Sequence, residues 1–216
     1  MTIAISFARR IRSQLSHFTS QQGNGARKLV GYWMLGTSAA VVGIVAVGGL
    51  TRLKESGLSM VDWRLVHFKA PSTEQEWQDY FEKYQRTPEY RMNNQGMLVD
   101  DFKRIYWWEH AHRVYGRLLG LAVIVPTAFF CAKPGWASRP IKAVMVASSG
   151  LVVFQGLLGW YMVKSGLDEE TVKRQQAARV SSYRLASHLT SAVALYCTLL
   201  LTGLRIVVPP SSITNF

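Results

Sequence analysis

Tyr106-Trp107-Trp108-Glu109-His110-Ala111-His112-Arg113-Val114-Tyr115-Gly116-Arg117 stands where a long polar stretch gives way to an apolar run, Val114 to Ala132. That run is close to the roughly 20 residues a helix needs to cross a bilayer. A carboxylate, two imidazoles and two guanidiniums therefore enter the edge of a membrane helix together. Ionisable groups at that depth are costly and mark function. Glu109 and His112 are three residues apart, which puts them on one helical face. That face is the candidate site.

Working outward, three more runs have the same character: Leu29 to Leu50, Ala143 to Val163 and Leu185 to Val208. The first and third hold no charge, the second only Arg117, and the fourth His188 and Arg205. Four such runs in one short chain predict an all-α, integral membrane four-helix bundle. The spans cover about 29–50, 107–132, 141–163 and 183–208 of a membrane domain, 29–208, with a basic leader at 1–28 and a tail at 209–216.

The net charge of +12 is unevenly laid out, since every Asp and Glu lies between Glu55 and Glu170. Basic excess in short loops marks the cytoplasmic or matrix side. Arg9, Arg10, Arg12, Arg27, Lys28 and the Lys133 to Lys142 turn belong there, and the loops Thr51 to Tyr106 and Lys164 to Tyr183 face outward. Topology thus accounts for the basic charge, so the partner it implies is membrane lipid and not nucleic acid. The first 28 residues are acid-free and rich in Arg and Ser, as transit peptides are, or form a matrix-side tail that orients the first span. Both readings place the chain in the mitochondrial inner membrane, or a bacterial equivalent, with its N-terminus inside.

The first outward loop contains a capping-box pattern, Thr73-Glu74-Gln75-Glu76. Trp77, Tyr80, Phe81 and Tyr84 then recur at helical spacing, and Thr87-Pro88 ends the run. This predicts a short amphipathic helix, either a surface anchor or a lid on the bundle. Gly48-Gly49 at the end of the first span suggests backbone brought close to another group. Gln155 inside the third span needs a polar partner. Cys131 and Cys197 fall within spans and read as small buried residues.

Of five histidines, His17 and His67 read as solvated. His112 and His188 lie on parallel spans, each a few residues inside the outer boundary, so they reach similar depth at about 1.5 Å per residue. Two imidazoles facing each other at one depth in a bundle are what bis-histidine haem ligation requires. Arg113, Arg117, Arg184 and Arg52 lie near the same surface, where arginine forks suit the carboxylates of a haem. The alternative is that each histidine bonds a carbonyl or a neighbouring side chain. Glu109 is either an ion-pair partner for arginine or a proton acceptor and charge stabiliser.

The string Val47-Gly48-Gly49-Leu50-Thr51-Arg52-Leu53, followed by Glu55-Ser56-Gly57-Leu58-Ser59-Met60-Val61-Asp62-Trp63, resembles mitochondrial-type haem A synthase. So do Thr87-Pro88-Glu89-Tyr90, Trp107-Trp108-Glu109, His112-Arg113 with Gly116-Arg117, and Gln155-Gly156 to Leu167. Tyr183-Arg184-Leu185-Ala186 with His188 completes a likeness that runs from about Val47 to Leu204. The resemblance implies an enzyme that oxidises the C8 methyl of haem O to the formyl group of haem A for cytochrome oxidase. It makes Glu109 the catalytic carboxylate, and His112 and His188 the ligands of the substrate haem iron. His110 stands where the family has an aromatic or small residue and is not assigned as a ligand.

Family members have eight spans in two four-helix halves, the second holding a haem b. This sequence has four, so it is expected to be the N-terminal, substrate-haem half, working with a separate second half or by self-association. The competing expectations are a bis-histidine membrane cytochrome and a non-catalytic subunit of a respiratory or assembly complex.

Overall fold

The protein is described from a computed structural model, which gives residues 2–63, 68–176 and 178–208, with side chains for all of these but 2–23 and 175. The side chain of His17, all of His67 and the 209–216 tail lie outside the described residues. Seven helices and no strand occur among those described: α1 (Thr2–Leu53), α2 (Glu74–Gln85), α3 (Pro88–Asn93), α4 (Val99–Ala132), α5 (Arg139–Leu167), α6 (Glu169–Gln175) and α7 (Ser182–Val207).

Four segments are long and apolar enough to cross a membrane: Asn24–Leu53, Val99–Ala132, Arg139–Leu167 and Ser182–Val207. Their apolar residues are not used up in the core. Leu118, Leu121, Val125, Val153, Leu157 and Leu201 all stand exposed. Helices that are apolar all round yet mostly uncovered fit a lipid surround.

The four pack as a ring, each against two neighbours in the order α1, α4, α5, α7 and back to α1. α4 and α7 are therefore diagonal. Towards the end of the ring where α1 carries Val30 and Met34, it is filled by these two with Leu119, Val123, Phe130, Met145, Leu195 and Leu199. Trp33 meets Phe130 edge-on at 5.3 Å, and its indole nitrogen donates to the Ala122 carbonyl at 2.9 Å. α1 and α7 close tightly here because Gly31 faces Gly203. A Cβ on Gly203 would lie 3.0 Å from the Gly31 carbonyl oxygen. Small residues allow this backbone approach, which lipid alone would not drive.

The opposite end is capped by a second cluster: Met60, Trp77, Phe81, Tyr84, Phe102 and Tyr106. α2 starts with the capping box read from the sequence, Thr73 accepting from the Glu76 amide and Glu76 reaching back. Its apolar face is buried against α4, so α2 is a lid and the surface-anchor reading is set aside. α4 begins at Val99 rather than at 107, because the lid supplies a protein partner for two extra turns whose Asp100, Asp101, Lys103 and Arg104 hide the helical signal. The connection between α5 and α7 contains α6, capped by Asp168, which accepts from the Thr171 amide at 3.0 Å. α3 is tied across to this region by Arg91, which donates to Glu169 at 2.6 Å, and by Asn93, which donates to the Ala178 carbonyl. Both cysteines are free and neither is buried as expected: Cys131 is partly covered and Cys197 is exposed on the apolar surface.

Candidate functional site

Between the filled end and the lid lies a different layer. Among the described residues none is fully buried between Val41 and Thr51 on α1, between His110 and Leu119 on α4, between Ser148 and Ser165 on α5, or before Leu195 on α7. On α1 and α4, at 1.5 Å per residue, this layer is about 12 Å deep. It contains His112 and His188, one from each of the two diagonal helices.

Each imidazole is seated against a glycine of a neighbouring helix. A Cβ on Gly48 would stand 3.0 Å from His112 Nε2, and one on Gly159 would stand 3.5 Å from His188 Cε1. The two rings are within electrostatic reach of each other. His188 Nδ1 is buried and has no hydrogen-bond partner. Buried imidazole nitrogens are ordinarily satisfied, so this atom is open to a further partner. Gln155 finds the partner its burial demands: its amide donates to the His188 carbonyl at 3.2 Å and to Ser191 Oγ at 2.7 Å, which fixes the turn that carries the histidine. Two histidines on diagonal helices, glycines opposite them and an orphaned ring nitrogen fit an iron held between two imidazoles.

Glu109 is one turn outward and 2% exposed. Its Oε2 accepts from Ser59 Oγ at 2.8 Å and from the Met60 amide at 2.7 Å, while Oε1 accepts from Arg113. The segment that brings these donors is a strap running from the end of α1. Ser56 Oγ donates to the Thr51 carbonyl, Ser59 Oγ also to that of Ser56, and Glu55 turns the chain at φ 50°. Charge-assisted bonds of this kind suit an anion. They use three of the roughly four acceptor positions of a carboxylate, leaving one. The strap is what sequence reading missed. Its Glu-Ser-Gly-Leu-Ser stretch carries a turn signal, but its landing on Glu109 is a long-range fact.

The arginines divide. Arg113, with a side chain 10% exposed, donates to the carbonyls of Met60 and Asp62 as well as to Glu109. It also lines an outer cleft of about 370 Å³ with Trp63, Trp160 and Lys164. Arg117 lies half-buried with its guanidinium 5.7 Å from the Phe68 ring. Arg184 stacks on Tyr161 at 3.6 Å and donates to its carbonyl. Arg52 is exposed at the end of α1, at the rim rather than in the layer. His110 is buried but stacks on Tyr106 at 5.7 Å and meets Trp107 edge-on, in the lid cluster and apart from the histidine pair.

A family model described as "Cytochrome oxidase assembly protein" (COX15-CtaA) matches residues 31–215. "Heme A synthase COX15" of Homo sapiens is 48% identical over 207 residues, which is 92% of this chain and 50% of the relative. The protein of the same name in Saccharomyces cerevisiae is 43% identical, over 83% of this chain and 37% of the relative. "Heme A synthase" of Parvibaculum lavamentivorans is 43% identical, over 81% and 49%. The chain spans about half the length, or less, of these curated relatives. No solved structure matches it.

Proposed function

The chain belongs to the cytochrome oxidase assembly protein family, whose curated members here are named haem A synthase, and from that membership we propose that it carries the substrate-haem half of such an enzyme. The reaction is oxidation of the C8 methyl of haem O to the formyl group of haem A. His112 and His188 hold the substrate iron between α4 and α7, and Gly48 and Gly159 leave the imidazoles room to do so. The observation that carries this reading is the histidine pair on diagonal helices, each imidazole seated against a glycine of a neighbouring helix.

When bound, the haem supplies the redox-active iron and is itself the molecule altered. The chain's own residues orient it and manage charge. Glu109, anchored by Ser59, Met60 and Arg113, keeps an acceptor position within a turn of His112 for a proton or a developing positive charge. Arg113 and Arg117 place positive charge at the outer edge, where haem carboxylates would sit. The complement is a second four-span unit that provides a haem b, and the setting is the mitochondrial inner membrane. The N-terminal end of the bundle, with Arg27, Lys28, Lys133 and Lys142, faces the matrix.

The test is pigment extraction from membranes holding the chain and its complement, comparing haem O and haem A. Glu109→Gln should keep haem O bound while haem A falls at least roughly a hundredfold, the usual range for a removed acid–base group. Haem A made at the normal level by that variant would rule out a chemical role for Glu109.

A further inference from the structure

Arg113 is nine-tenths buried, yet its bonding is not complete. Its guanidinium donates to the carbonyls of Met60 and Asp62 and to Glu109, which uses three of its five N–H groups. It also forms one wall of the cleft of about 370 Å³ at the lid end of the bundle. A chain of contacts joins the other walls to it. Asp62, whose carbonyl it holds, precedes Trp63 on the strap. Trp63 meets Trp160 of α5 at 6.5 Å, and the ammonium of Lys164 lies over the Trp160 ring at 5.4 Å. Among the described residues Lys164 makes no hydrogen bond and no ion pair within 4 Å. The acid that lines the cleft, Asp168, feels the Lys164 charge through space, but its Oδ2 is bonded to the amide and hydroxyl of Thr171 at the start of α6. Arg113 shares its charge with Glu109. Lys164 is therefore the cation of the cleft that lacks a bonded anion.

The cleft adjoins the histidine layer from two sides. Arg113 follows His112 on α4, and Trp160 follows Gly159, the residue that seats His188. Lys164 stands five residues beyond Gly159, about 7.5 Å further along α5 towards the lid. A haem between the two imidazoles carries two carboxylates, each on a short chain of two methylenes at one edge of the ring. The cleft matches such a chain. Its indoles and Val163 suit the methylenes, while the spare N–H groups of Arg113 and the ammonium of Lys164 suit the carboxylate.

We propose that this cleft seats one carboxylate chain of the substrate haem and that Lys164 supplies the counter-charge. The proposal rests on the haem reading above and deepens it. Two axial imidazoles alone leave the macrocycle free to turn about the axis through the iron. The ring is rigid, so anchoring a carboxylate chain stops that turn and fixes where the C8 methyl stands. Lys164 thereby governs which methyl is presented for oxidation without taking part in the oxidation.

The experiment is optical titration of the full chain in lipid with ferric protohaem and, separately, with its dimethyl ester. The ester has the same ring and iron but no carboxylate charge. The parent chain should bind the diacid roughly tenfold more tightly than the diester, as one charge-assisted bond allows. Lys164→Met should cut that ratio to about threefold or less by weakening the diacid alone. Lys164→Arg should keep the preference, and Lys54→Met, in the separate groove of about 580 Å³, should not alter it. No preference in the parent chain overturns the proposal, as does the parent's full ratio in Lys164→Met. Equal weakening of both compounds by Lys164→Met overturns it too, because the lysine would then serve only the fold. A parent chain that binds neither compound sinks the haem reading and this proposal with it. One that binds both equally removes the cleft and leaves the haem reading standing.

Discussion

Gly48 shows how finely the site is set. Its missing methyl is the space His112 uses, with only 3.0 Å from an ideal Cβ to Nε2. Gly49, its neighbour, has nothing within 4 Å of the same position. Gly48→Ala should therefore push the imidazole aside and weaken haem binding roughly tenfold, the equivalent of about 1.4 kcal/mol. Gly49→Ala should leave binding unchanged. Haem titration of the two variants checks the pair, and equal affinities would mean that His112 is not seated as a ligand. The glycine doublet was visible in the sequence as a close approach, but not which glycine makes it. The same holds for the arginines. A count of guanidiniums near one surface was legible, whereas the commitment of Arg113 to two strap carbonyls depends on a loop whose course no local pattern dictates.

Among the elements, α2 lends itself to a measurement of pH dependence. Glu76 accepts from the Ser72 amide and hydroxyl, from the Thr73 amide and from Lys69. These bonds, the Ser72 amide first, hold its carboxyl down to about 2 from an ordinary 4.5. A group whose value falls on folding stabilises the fold above its unfolded value and loses that contribution as pH drops through the folded one. Protection of the α2 amides against hydrogen exchange, corrected for intrinsic rate, should stay level above about pH 4.5 and decline towards about pH 2. Thr73→Ala should cost the helix about 1 kcal/mol at neutral pH. Protection independent of pH across that window would show that the cap is not formed.

The cap was readable because its signal lies within four residues, and the four spans because apolar length suffices for lipid. α3, α6 and the first two turns of α4 were not readable. They are short or polar, and they are held by contacts such as Arg91 to Glu169 and Trp77 to Tyr106 that join distant parts of the chain. The histidine pair was readable for a geometric reason. α4 and α7 run the same way, and that alone put His112 and His188 at similar depth.

For the whole molecule, the ring of helices closes tightly where α1 meets α7 at Gly31 and Gly203. Gly31→Leu would drive a branched side chain into Val207 and Ile206. It should lower stability by about 1–3 kcal/mol, the usual range for overpacking, read as an earlier unfolding transition in detergent. An unmoved transition would mean that α1 and α7 do not close there.

The central claim is that this bundle holds a haem iron between His112 and His188. The most direct measurement is bound haem per chain, with its low-spin spectrum, for His112→Ala and His188→Ala in the full chain in lipid. We predict that either replacement removes the bis-imidazole signal and most of the bound haem, while Gly49→Ala retains both. Undiminished haem with an unchanged spectrum in both histidine variants would contradict the assignment.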